Sequence, residues 1–184
     1  MLNENLITKH FKALWKSRIF VERQGDQLFV TDTNLLIRLP DTAALFNDRA
    51  MFPELPEDGE SFTYSKQIGF NKNGPKVYDL IKTFCSQDLK PVTLSKWFFN
   101  VGKAESVFAR LLYFDTVPVM VNQSFLNLFN CLPFVYGTGG HKPIIVFEDE
   151  TTDPAAVLGA IMPVKFNKDT LDPADKFPRV DLFL

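Results

Sequence analysis

The stretch RIFVERQGDQLFVTDTNLLIRL, residues 18–39, decides the architecture of the chain. Apolar runs flank the turn Gln24-Gly25-Asp26, which predicts a β-hairpin. The polar residues from Thr31 to Asn34 interrupt the second run, and residues of these types favour a second bend. Pro40 ends the element, because proline lacks the backbone N–H that a central strand donates. The first part of the chain is therefore predicted to form antiparallel strands.

An amphipathic helix is predicted just before these strands, over residues 4–16. Apolar residues recur there at helical spacing, and Asn3 or Asn5 is placed to cap the first turn. The same order, a helix followed by a hairpin, recurs over residues 122–166. A chain made of two such units is predicted to have an α+β fold.

The segment between these two units is less regular. Residues 40–76 contain several prolines and glycines and an acidic loop. A short helix is expected over 41–51 with Asp41 as its cap, and the stretch SFTYSKQIGF at 61–70 is expected to form a strand. Residues 76–86 predict a helix, and residues 91–121 are rich in strand-forming side chains.

The composition is that of an ordinary globular protein. The chain has 184 residues, of which 46% are hydrophobic, and this excludes disorder over its whole length. The 19 phenylalanines predict a large apolar core. We expect a single domain over residues 1–166, with the irregular insertion at 40–76, followed by a C-terminal tail over residues 167–184.

The cysteines and the hydropathy pattern indicate where the protein works. Cys85 and Cys131 are far apart and fit two free thiols in a reducing compartment. The sequence contains no apolar run of membrane-spanning length, and its N-terminus lacks the apolar stretch of a signal peptide. We expect a cytoplasmic protein with no membrane partner.

Few residues favour catalysis. His10 is predicted to lie at the surface, beside the lysines of the first helix. His141 follows the glycine-rich turn 137–140, but a strand comes next instead of the helix that a phosphate-binding loop requires. The acidic residues lack the spacing of a calcium loop. We expect a protein that is not an enzyme and has no metal or cofactor, with a small enzyme that uses His141 as an alternative.

The charge of the chain is uneven. Residues 41–60 carry six acidic side chains and one arginine, which argues against a wholly basic nucleic-acid binder. The first 20 residues are basic, and a basic helix can follow a phosphate backbone. The candidate DNA-binding residues are Lys9, Lys12, Lys16 and Arg18. A solvated helix face is the alternative interpretation of the same four residues.

Three stretches resemble the last part of the bacterial DNA polymerase sliding clamp. They are PVMVNQSFLNLF at 118–129, PIIVFED at 143–149 and VLGAIMPVKF at 157–166. In that family a strand leads into an asparagine-started helix, and the chain closes on a Met-Pro-hydrophobic-basic run. FVTDTNLLIRL at 29–39 is similar to the family's strand-turn-strand around a Thr-Asp pair, without the Gly and His that follow it there.

The resemblance implies a clamp-like domain of antiparallel sheet with helices packed on one face. It implies a binding or assembly module, such as a DNA-replication accessory protein of a phage or mobile element. A ring of such domains then requires oligomerisation, and the helix at 4–16 would face DNA. Met162 and Pro163 would form part of a partner pocket.

The end of the tail resembles the short peptide with which polymerases and repair proteins dock onto the clamp. The residues are Arg179, Val180, Asp181, Leu182 and Phe183, with Arg where that peptide has Gln. Its apolar anchors suit a pocket on this chain, on a second copy or on a host clamp. Two alternatives stay open: an apolar end that packs locally, and a protein–protein interaction domain with no nucleic-acid role.

Overall fold

A computed structural model describes residues 2–100, 108–114, 117–129, 134–138 and 142–164, with only the backbone described at 97–100. The helices in these ranges are α1 (Glu4–Leu14), α2 (Val77–Cys85) and α3 (Gln123–Leu126). The first six strands are β1 (Ile19–Gln24), β2 (Gln27–Thr31), β3 (Leu35–Pro40), β4 (Ser61–Ser65), β5 (Gly69–Asn71) and β6 (Lys90–Pro91). The others are β7 (Thr93–Asn100), β8 (Phe108–Phe114), β9 (Val117–Asn122), β10 (Phe134–Gly137), β11 (Ile144–Phe147) and β12 (Val157–Ile161).

The described strands form two antiparallel sheets. The larger has the order β5-β4-β1-β2-β3-β12-β11-β10-β6, and the smaller has the order β7-β8-β9. The predicted α+β class with antiparallel sheet is confirmed. None of the helices in the described ranges has the length and apolarity needed to cross a membrane.

Six strands of the larger sheet are arranged symmetrically about the pair β3–β12. β3 pairs with β12 through Ile37 and Gly159, and the strands on the two sides follow in reverse order to β1 and β10. α1 precedes β1, just as α3 precedes β10. The predicted recurrence of helix and strands is therefore present as two α-β-β-β units that join at their last strands.

The predicted hairpin at 18–39 is the three-stranded meander β1-β2-β3. The second bend forms where the polar residues predicted it, because the Oδ1 atom of Asp32 accepts the backbone N–H of Asn34 at 2.9 Å and of Leu35 at 2.8 Å. Thr33 takes a φ of 79°, the left-handed conformation that such a tight bend requires.

The core is divided between the two faces of the larger sheet. Val30 belongs to the same buried cluster as Ile7 of α1 and Leu126 of α3, whereas its neighbour Phe29 belongs to a second cluster with Val77 of α2. The helices thus do not all lie on one face, as the clamp resemblance implied. α2 covers the opposite face, because it carries an apolar stripe of its own and β2 presents apolar residues on both sides.

Several elements differ from the prediction in their extent. α1 ends at Leu14, where a tight turn closes from the Trp15 N–H to the Lys12 carbonyl. A 3₁₀ turn over Ala44–Asn47 replaces the short helix expected from Asp41, whose carboxylate binds Arg23 at 2.9 Å instead of capping. The strand predicted at SFTYSKQIGF is present as two strands, since β4 pairs with β1 and β5 pairs with β4.

Candidate functional site

An apolar groove lies between α2 and the face of the larger sheet that α2 covers. It encloses about 280 Å³. We call it the α2 groove, and its main apolar lining residues are Leu36, Val77, Leu80, Ile81, Phe84 and Met162. The polar residues Thr31, Thr33 and Asn34 also border the groove, whose surface is mainly apolar. This combination of an apolar wall and a few polar groups is typical of a binding site.

Two large apolar side chains of the groove are open to solvent. Leu80 of α2 is 56% exposed, and Met162, just after β12, is 37% exposed. The backbone N–H of Met162 donates to the Asn34 carbonyl at 2.8 Å, which fixes the residue beside the β2–β3 bend. Apolar side chains that share one concavity mark an interaction surface more strongly than single exposed ones do.

A buried carboxyl group holds the N-terminal end of α2 to the sheet. Glu22 of β1 is only 1% exposed, and its Oε2 atom accepts the backbone N–H of Tyr78 at 2.9 Å. Its Oε1 atom accepts a bond from Gln24 Nε2, also at 2.9 Å. Both oxygens are therefore satisfied, as a buried polar group requires.

A second attachment precedes α2. The backbone N–H of Gly74 donates to the Ser61 carbonyl at 2.7 Å, and the Ser61 hydroxyl donates to the Pro75 carbonyl at the same distance. A Cβ at Gly74 would lie 2.4 Å from Ser61 Oγ, so this close approach requires glycine. The wall of the groove is thus positioned by polar contacts outside its apolar lining.

Asp32 connects the groove side of the sheet with α1. Its Oδ2 atom lies 3.2 Å from Nε2 of His10, and its side chain is 6% exposed. Burial alone would raise the pKa of Asp32, but the hydrogen bonds from His10 and from the Leu35 and Asn34 N–H groups hold that pKa below its usual value. His10 is half-buried, with its ring edge-on to Phe125 of α3 at 5.3 Å. The predicted surface position of His10 is therefore wrong.

The pocket residues implied by the clamp resemblance lie at this groove or next to it. Met162 lines it, and Pro163 follows as a half-buried residue. Other predicted residues fall outside the described residues, and their roles stay predictions: Val180, Asp181, Leu182 and Phe183 of the tail, and His141.

The four candidate DNA-binding residues are all exposed, with Lys9 and Lys12 on α1 and Lys16 and Arg18 between α1 and β1. Lys12 binds Asp48 at 3.0 Å, and this hydrogen bond lowers the pKa of the Asp48 carboxyl group. Within the described ranges, no carboxylate lies at ion-pair distance from the other three. Helix α1, which carries Lys9 and Lys12, packs on one face of the larger sheet, and the α2 groove lies on the other.

The described residues present little reactive chemistry. Burial raises the pKa of the Cys85 thiol to about 11, so its reactive thiolate form is scarce near neutral pH. Across the described ranges, no group of three or more His, Cys, Asp or Glu side chains is placed to hold a metal ion. The α2 groove offers a mainly apolar lining.

No protein-family model, curated protein or solved structure matches the chain. The resemblance to the sliding clamp accordingly stays a prediction. The features of the described residues that indicate a function are the α2 groove and the exposed side chains of Lys9, Lys12, Lys16 and Arg18.

Proposed function

We propose that the protein is a non-enzymatic binding module whose α2 groove takes a short apolar peptide. The observation that carries this proposal is the exposure of Leu80 and Met162 in one concavity, at 56% and 37%. Covering these exposed apolar side chains with a partner removes them from water, and this lowers the free energy of the complex.

The open wall of the groove favours a peptide over an enclosed small molecule, because Leu80 and Met162 stay exposed to solvent. Pockets that enclose drug-sized ligands measure about 300–1,000 Å³. At about 280 Å³ the α2 groove has room for one or two apolar side chains that anchor a longer chain.

The clamp resemblance supports the same function. It implies a peptide pocket at Met162 and Pro163, and Met162 lies in the groove. A role as a cytoplasmic DNA-replication accessory protein of a phage or mobile element follows from that resemblance. A purely protein-binding module with no nucleic-acid role is the alternative, and the two differ in whether the basic residues of α1 contact DNA.

Substitutions in the groove test the peptide proposal. The probe is a fluorescein-labelled hexapeptide RVDLFL, titrated to millimolar concentration against the full chain and followed by anisotropy. We expect Leu80→Lys and Met162→Lys each to weaken binding about tenfold or more, since a lysine ammonium group cannot be buried without cost. Ile68→Lys is the matched control, because Ile68 is 66% exposed in the β4–β5 turn. Equal affinity for all variants contradicts the proposal.

We propose DNA contact as a second role, supported by the exposure of the basic residues and by the lack of a carboxylate partner for three of the four in the described ranges. Retention on DNA-cellulose at low salt is the measurement, because phosphate contacts are salt-dependent. The triple change of Lys9, Lys12 and Lys16 to Glu should abolish retention. The control makes the same charge change at Lys66, Lys82 and Lys142. Unchanged retention of the first variant contradicts the role.

A further inference from the structure

The α2 groove and the end of this chain are chemically complementary. We propose that the segment VDLFL, residues 180–184, occupies the α2 groove of the same chain. This inference rests on the proposed function, since it names the partner of that groove. It makes the groove a self-occupied site that an external peptide enters only by competition.

The side chains on the two sides match. Leu182, Phe183 and Leu184 form an apolar run next to Asp181. The groove offers apolar walls with two open side chains, Leu80 and Met162. Leu and Phe anchors in an apolar pocket are the usual means by which a short peptide is held.

The described chain ends beside the groove. Met162 lines it, and its N–H donates to Asn34 at 2.8 Å. Two residues later, the N–H of Val164 donates to the Met120 carbonyl of β9, also at 2.8 Å. The tail therefore starts from a fixed point within two residues of the surface that it is proposed to cover.

The length of the connection favours the same chain over a second copy. Fifteen residues lie between Val164 and Val180, so sixteen Cα–Cα steps connect them. A connection of that length reaches at most about 53–58 Å, which is ample for a return to a site next to its start. Such a tether gives an effective concentration in the millimolar range. A second copy competes only when the protein itself reaches a similar concentration.

The methyl group of Met162 reports directly on the occupant. The chain has four methionines; Met162 is exposed, while Met51 and Met120 are buried at 1% and 0% and serve as internal references. The full chain is labelled with ¹³C-methyl methionine. The substitution Phe183→Leu then removes the aromatic ring of the tail and keeps an apolar side chain. We expect the NMR shift of the Met162 methyl group to change while those of both references stay. Phe177→Leu is the matched control and should change none of the three. A Met162 signal that is the same in both variants overturns the inference.

Competition with the labelled hexapeptide RVDLFL separates this inference from the proposed function. The full-length variant Leu182→Ser with Phe183→Ser should bind the probe about tenfold more tightly or better than the native chain, because the tethered competitor is lost. Leu171→Ser with Phe177→Ser should bind it like the native chain. Equal binding by native and tail variants overturns the inference and leaves the groove function standing. No binding to either, up to millimolar peptide, overturns both.

Light scattering decides between the same chain and a second copy. A tail that docks on its own chain leaves the solution mass and the Met162 signal independent of protein concentration. A Met162 signal that moves with concentration, together with a rising mass, shows docking on a second copy and overturns the inference as stated.

Discussion

Glu22 should set the stability of α2 and the shape of the groove. The substitution Glu22→Ala removes the acceptor of the Tyr78 N–H and of Gln24 Nε2, each 2.9 Å away. Because the site is 1% exposed, water does not replace the lost oxygens. A buried donor left without its partner costs about 1–3 kcal/mol, and loss of a helix N-terminal acceptor costs about 0.5–2 kcal/mol. Both figures describe the same N–H, so they are not added. We expect the free energy of unfolding to fall by about 1–3 kcal/mol.

Urea denaturation followed by circular dichroism measures this loss. Glu22→Gln keeps one acceptor oxygen and should lose less than Glu22→Ala. Glu150 is exposed in the β11–β12 connection, so Glu150→Ala should stay within about 0.5 kcal/mol of the native chain. Hydrogen exchange should show the amides of α2 opening more readily in Glu22→Ala. If Glu22→Ala unfolds at the same urea concentration as Glu150→Ala, the anchoring argument is refuted.

Two further substitutions probe the packing of the larger sheet and the bend beside the groove. A Cβ added by Gly159→Ala would lie 2.5 Å from the Leu36 carbonyl oxygen, so thermal unfolding should show a loss of about 1–3 kcal/mol. Gly137→Ala meets no atom closer than 3.5 Å and is the control; equal melting of the two variants contradicts this prediction. The folded pKa of Asp32 lies below its ordinary value of 3.8, so its stabilising contribution is complete above that pH and is lost as the pH falls through the folded pKa. The stability difference between the native chain and Asp32→Asn, measured by urea denaturation, should therefore shrink on acidification below pH 3.8, and a difference that grows there contradicts the prediction.

Local sequence patterns predicted the elements that local interactions determine. Asn3 caps α1, since its side chain accepts the N–H of Leu6 at 3.2 Å. Asn122 caps α3 in the same way, by accepting the N–H of Ser124 at 3.0 Å. The bend at residues 31–34 follows from the hydrogen bonds of a single aspartate to the next few N–H groups. Each of these signals involves residues within a few positions of one another, which is why the sequence carries them.

The groove arises from contacts that no local pattern contains. Glu22 is an ordinary polar residue of a strand until its acceptor role toward Tyr78 is known, and that residue is 56 positions away. His10 and Asp32 are 22 positions apart. One signal was present in the sequence: Leu35, Leu36 and Ile37 are consecutive apolar residues in β3. A strand apolar on both faces requires cover on both faces, and that cover is α1 on one side and α2 on the other.

Helix α1, with Lys9 and Lys12, and the α2 groove lie on opposite faces of the larger sheet, and this makes the two proposed roles separable. Leu80→Lys acts on the α2 side and should leave DNA retention unchanged, while the triple lysine variant should leave peptide binding unchanged. One contact joins the two sides, because Asp32 binds His10 of α1 and also shapes the bend whose Asn34 carbonyl holds Met162. If either variant does change the other activity, Asp32→Asn distinguishes the causes. If the effect passes through the contact between Asp32 and His10, it should disappear in the Asp32→Asn background. If it comes from a general loss of folding, it should persist there.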